Sequence, residues 1–149
     1  MIQLRVCIDV DDLDRAIEFY RQAIGLTLGR RLGAGWAEML GASSPIDLLV
    51  EPAGSRANAE GPALRDYARH WTPIHIDVVV DDLDRALDRA RAAGATVERD
   101  IQAREWGRIA LLSDPFGHGL CLLEMRGRGY DELVDPSPSS PPVTGGARG

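Results

Sequence analysis

The sequence predicts an α+β fold of two tandem βαβββ modules forming a cupped mixed β-sheet with helices on its outer face. Three observations carry that prediction: a heptapeptide that occurs twice, a helical apolar stripe after each copy, and alternating segments around each stripe. Val10-Asp-Asp-Leu-Asp-Arg-Ala16 recurs letter for letter as Val80-Asp-Asp-Leu-Asp-Arg-Ala86, an offset of 70 residues. Such an identity is improbable by chance in 149 residues, so the chain holds two copies of one structural unit.

Each unit opens on a strand. Leu4, Val6, Ile8 and Val10 alternate with Arg5, Cys7 and Asp9; Ile74, Ile76, Val78 and Val80 alternate with His75, Asp77 and Val79. A period of two sends alternate side chains to opposite faces of a sheet. The helices follow, with Leu13, Ala16, Ile17, Tyr20 and Ala23 forming one stripe and Leu83, Ala86, Leu87, Ala90 and Ala93 the other. Aspartates stand ahead of each stripe, suited to the cap and first turn, and Gly25 and Gly94 stop the helices. Shorter strands are expected at 26–32, 35–40 and 45–51, then at 96–101, 107–113 and 119–125, with a tight turn at Asp114-Pro-Phe-Gly117. The domain reading is a first module over 1–51, a linker over 52–71 with a short helix around 61–70, a second module over 72–126, and a C-terminal extension over 127–149. From residue 136, ten of fourteen residues are Pro, Ser or Gly, which predicts disorder.

Composition narrows the function. The 17 basic residues, all Arg, face 23 acidic ones for a net charge of −6. That balance argues against nucleic acid or an anionic membrane as partner. The absence of Lys excludes a Schiff base and a phosphate-gripping Walker lysine. Two cysteines, Cys7 and Cys121, are too few for a disulfide framework. With no apolar run long enough to span a bilayer and no signal peptide, the expectation is a cytoplasmic protein.

The two strand faces differ in chemistry. One is aliphatic, as a helix-covered face must be; the other collects Arg5, Cys7, Asp9, Asp47, Glu51, His75, Asp77 and Cys121. Pairing both halves into one curved sheet turns these residues toward a common concavity. Trp36 and Trp106 are candidate walls for a flat organic ligand, and Arg104–Arg108 is a candidate loop over its mouth. His118 reads as turn decoration. Glu124, by strand parity, falls on the face opposite Cys121.

The pattern resembles the vicinal oxygen chelate superfamily, which includes glyoxalase I, bleomycin-resistance proteins and extradiol dioxygenases. The resemblance is carried by Val10-Asp-Asp-Leu-Asp-Arg-Ala-Ile-Glu-Phe-Tyr20 with Gly25-Leu26, by His75-Ile-Asp-Val-Val-Val80, and by Asp114-Pro-Phe-Gly117. It implies paired βαβββ modules around a ligand cavity and, by analogy, a homodimer. Metal enzymes of the superfamily place one ligand on the first and one on the last strand of each module; those positions fall here on Arg5, Asp47, His75 and Cys121. Arg5 cannot ligate, because a guanidinium does not lose its proton. An ion pair between Arg5 and Asp47 fills the place of a metal at lower cost. The reading is therefore a protein that binds a small organic ligand or substrate through Arg5, Asp9, Asp47, His75, Asp77, Cys121, Trp36 and Trp106, without a cofactor. The alternative is a metal-dependent lyase, isomerase or oxygenase in which Asp47, His75 and Cys121 hold zinc, iron, manganese or nickel.

Overall fold

The computed structural model describes residues 1–70 and 72–134. The first unit runs β1 (Val6–Val10), α1 (Leu13–Ile24), β2 (Thr27–Leu32), β3 (Trp36–Leu40) and β4 (Ile46–Val50). The second repeats the order with β5 (Ile76–Val79), α2 (Leu83–Ala92), β6 (Thr96–Arg104), β7 (Gly107–Ser113) and β8 (Gly119–Met125), followed by a 3-10 turn at Gly129–Glu132. Both units are thus βαβββ. The tail beyond residue 134 and Trp71 lie outside the described residues.

The duplicated aspartates work identically. Asp12 and Asp82 hold extended backbone and accept from the amides of Arg15 and Arg85, each at 3.0 Å, satisfying a donor that the first helical turn leaves open. Gly25 ends α1 at φ 88°, a left-handed geometry that glycine adopts without steric cost.

Each unit forms its own open sheet. The orders are β1-β4-β3-β2 and β5-β8-β7-β6, with β1–β4 and β5–β8 parallel and the remaining pairs antiparallel. The α+β architecture follows the sequence, but the strands form two sheets and not one continuous curved one. β1 and β5 are edge strands, and no ladder joins them among the described residues. The helices cover the aliphatic faces of their own sheets and also pack against each other, so Ile8, Val10, Leu48, Leu83, Leu112 and Leu122 belong to one core. Burying a side chain such as Leu48, fully enclosed, contributes roughly 1.5–3 kcal/mol.

The expected helix at 61–70 is absent. Backbone bonds there cross the loop, from Gly54 N to Arg65 O and Arg65 N to Ser55 O, both at 2.8 Å, and from Ala57 N to Ala63 O at 2.9 Å. An extended loop that pairs with itself leaves no amides for i→i−4 bonds. β6 runs three residues past its expected end at residue 101, and Arg104–Arg108 is a hairpin turn instead of a lid. No helix among the described residues is long and apolar enough to cross a membrane.

Candidate functional site

The polar faces hold two separate clusters. On the first sheet, Cys7, Asp47 and Glu38 stand in register on adjacent strands. Arg5, just ahead of β1, reaches back over them. Its Nε and Nη2 donate to the two oxygens of Asp47 at 2.9 and 2.6 Å, and Nη2 also donates to Glu38 at 2.8 Å. Glu38 accepts a second guanidinium from Arg30, whose Nε lies 2.9 Å away. These bonds, with Arg30 the larger cause and Arg5 the next, bring the Glu38 carboxyl down to about 2. Trp36 shares this face and lies 6.0 Å from the Arg30 guanidinium. The Arg5–Asp47 pair expected from the sequence is present; Glu38 and Arg30, which complete it, were not foreseen.

On the second sheet, Asp77 and Cys121 are register partners, and His75 stands immediately ahead of β5. One donor atom from each of His75, Asp77 and Cys121 lies within 4.8 Å of the others. His75 Nε2 is 3.2 Å from Asp77 Oδ1. Burial and a hydrogen bond to Asp77 push the Cys121 thiol up to about 11, so it stays protonated at neutral pH. Burial, then Asp9 and Asp47, raise the Cys7 thiol as well.

Asp47 does not join the His75 cluster; Asp77 takes that place, and Asp47 is committed to Arg5. No hydrogen bond or ion pair links the two clusters among the described residues. The four-ligand arrangement of the superfamily's metal enzymes does not fit this chain, because a cation stands at one ligand position and already chelates the carboxylate at another.

Between the clusters lies a cavity of about 650 Å³ along the free edges of β1 and β5. Of the predicted residues, Asp9 and His75 line it, while Arg5, Asp47, Asp77, Cys121, Trp36 and Trp106 do not. Trp106 instead packs on Tyr130, ring centroids 5.0 Å apart. Asp9 pairs with Arg65, whose Nε is 2.8 Å away. Arg65, Tyr67 and His70 come from the linker and His118 from the β7–β8 turn. Arg65, Tyr67 and His70 were not foreseen, and His118 was read as turn decoration, yet one signal was available: the chain has three histidines, and His70, His75 and His118 all line this cavity. Glu124 lies where parity put it, on the helix side, accepting from Leu83 N at 3.0 Å and from Arg126 at 2.7 Å.

A family model described as "Glyoxalase-like domain" matches residues 5–123. The chain belongs to this glyoxalase-like family, within the vicinal oxygen chelate superfamily. An uncharacterized protein of Mycobacterium bovis is 32% identical over 115 residues, covering 73% of this chain and 74% of that one. A probable lactoylglutathione lyase of Vibrio cholerae is 27% identical over 131 residues, 81% of this chain and 88% of its own. Among solved structures, a fosfomycin resistance protein from Listeria monocytogenes superposes with a TM-score of 0.66 at 18% identity, over 90% of this chain and 100% of that one. This glyoxalase-like chain therefore shares a fold with proteins of differing names, and its own chemistry has to be argued from its side chains.

Proposed function

We propose that this glyoxalase-like protein binds a small organic molecule in the cavity between β1 and β5 and works without the superfamily's four-ligand metal centre. The observation that carries the reading is the Arg5 guanidinium, bonded to Asp47 through two nitrogens and to Glu38 through one. A cavity of about 650 Å³ suits an organic ligand of modest size, and its walls are mixed as such sites usually are. Val6, Ile8, Ile74 and Ile76 supply apolar contact, and Asp9, Arg65 and the histidines supply polar groups. The reading includes a homodimer, supported by the exposed apolar side chains of Ile2, Leu4, Ile74 and Val79 near the same strand edges.

Two measurements test it. Elemental analysis of protein purified without added metal is expected to show no stoichiometric zinc, iron, manganese or nickel. A stoichiometric ion that disappears in His75→Ala overturns the reading in favour of a metal enzyme. A calorimetric screen of aromatic and heterocyclic compounds is expected to return ligands that compete for one site and perturb the amides of Ile76 and Gly119. Ligands that bind only elsewhere remove the cavity from the argument.

A further inference from the structure

Most polar groups of the cavity are already engaged. Arg65 is held by Asp9 at 2.8 Å and by Ser55 Oγ at 3.3 Å. The Tyr67 hydroxyl donates to Glu51 O at 2.7 Å, and His75 Nε2 faces Asp77 at 3.2 Å. His70 turns Nδ1 to Ala68 O at 2.8 Å, so His70 and His75 each keep one open ring nitrogen, but neither is anchored on a buried carboxylate: His70 leans on a carbonyl, and Asp77 is exposed.

His118 is held differently. Its Nδ1 lies 2.8 Å from Asp114 Oδ2, which also accepts the Tyr20 hydroxyl at 2.7 Å. Asp114 Oδ1 accepts the amides of Phe116 at 2.9 Å and His118 at 2.8 Å. Asp114 and Tyr20 are buried, at 5% and 1% exposure. Burial pushes the Asp114 carboxyl upward, but the bonds from His118, Tyr20 and the backbone outweigh it, and the net direction is down. An ionised carboxylate only accepts, so Nδ1 carries hydrogen and the lone pair of the neutral ring sits on Nε2. Nε2 has no hydrogen-bond partner among the described residues, and His118 is one of the residues that line the cavity.

We propose that His118 is the proton acceptor of this cavity, positioned by Asp114 and Tyr20, and that it selects an apolar ligand bearing one weakly acidic O–H, a phenol or an enol. The inference rests on the cavity reading above. A pocket with apolar walls, engaged donors and a prealigned acceptor favours a ligand that brings a donor. On binding, the ligand O–H bond breaks, its electron pair stays on oxygen, and the proton forms an N–H bond at Nε2. The resulting imidazolium is paired with the Asp114 carboxylate, as in other carboxylate–histidine pairs. The remaining charged or titratable groups facing His118 are Tyr20, Arg69 with its partner Glu98, and His70 and His75 across the cavity.

4-Nitrophenol and nitrobenzene differ in the acidic proton and serve as probes of the full chain. Both are expected to shift the Ile76 and Gly119 amides. Nitrophenol should bind about tenfold tighter or more, the size of one charge-assisted hydrogen bond. Its bound form should show the phenolate absorbance at a pH where the free compound is protonated. In His118→Asn the side-chain amide still donates to Asp114 but Nε2 is gone, so the preference for nitrophenol over nitrobenzene and the phenolate band should vanish. Equal binding of both probes to the wild type, or a preference that survives His118→Asn, overturns the proposal and leaves the cavity reading standing. Binding of neither probe overturns both. Imidazole nitrogen spectra of the unmutated chain give a readout that needs no variant: His118 should be the Nδ1–H tautomer, and the opposite tautomer overturns the proposal.

Discussion

Arg5 shows how one side chain redirects an inherited position. Its side chain is 39% exposed, while those of Asp47 and Glu38 beneath it are 11% and 6% exposed. Such carboxylates are tolerated only because they are paired, and removing one partner costs more than removing both. Glu38 keeps Arg30 if Arg5 is lost; Asp47 keeps nothing among its present side-chain partners. Arg5→Leu is therefore expected to lower the melting temperature by on the order of 5 °C, and Arg5→Leu with Asp47→Leu to recover most of that loss. Thermal melts of the three proteins decide it. If the double variant is as unstable as the single one, the pair is not what makes Arg5 necessary. The resemblance implied this pair by placing Arg5 and Asp47 at two ligand positions, and strand parity agrees, since positions 5, 7 and 47 share a face. Glu38 lies on the same face as the register partner of Asp47, but it occupies none of the ligand positions of the resemblance.

At the scale of elements, the duplicated segments were the most legible part of the chain. Periodicity places α1 and α2, and the Asp-Asp-Leu-Asp repeat places their caps, because a cap is a local bond between a side chain and an amide three residues on. Asp12→Ala and Asp82→Ala should each cost about 1 kcal/mol of unfolding free energy, measured by urea titration. The second helix has a further support, since Glu124 also accepts from Leu83 N. Asp82→Ala should consequently be the milder of the two, and a larger loss at Asp82 would contradict that assignment. The linker was not legible, for the opposite reason. Its conformation depends on Arg65 reaching Asp9, 56 residues away in sequence, and on loop-spanning backbone bonds. Gly117 at φ 90° marks the same kind of dependence: a Cβ there would lie 2.6 Å from Ala68 O, so the turn before β8 and the linker fit only without a side chain. Contacts of that range leave no period in the sequence, and they are what build the cavity wall carrying His70 and His118.

Over the whole molecule, buried carboxylates tie the parts together. Glu38 joins β3 to Arg5 and Arg30 in the first unit. Glu124 joins β8 to β7 and α2 in the second. Asp114 joins the β7–β8 turn to Tyr20 of α1 across the two units. Glu38 and Glu124 are both brought down to about 2 from an ordinary 4.5, by Arg30 and Arg5 in one case and by Arg108, the Leu83 amide and Arg126 in the other. A carboxyl whose folded value lies below its unfolded one binds fewer protons in the native state. Its stabilisation is present above the unfolded value and is lost as pH falls toward the folded one. Stability is therefore expected to be level from about pH 5 to 7 and to fall steeply between 4.5 and 2. Replacing Glu38 by Gln should lower stability at pH 7 and flatten the acid slope, because one of the two groups no longer takes up a proton on unfolding. Urea titrations of wild type and Glu38→Gln at pH 7, 4.5, 3.5 and 2.5 measure both effects. Parallel acid slopes in the two proteins would mean that Glu38 titrates alike folded and unfolded, and that the Arg5–Glu38–Arg30 bridge is not held in solution.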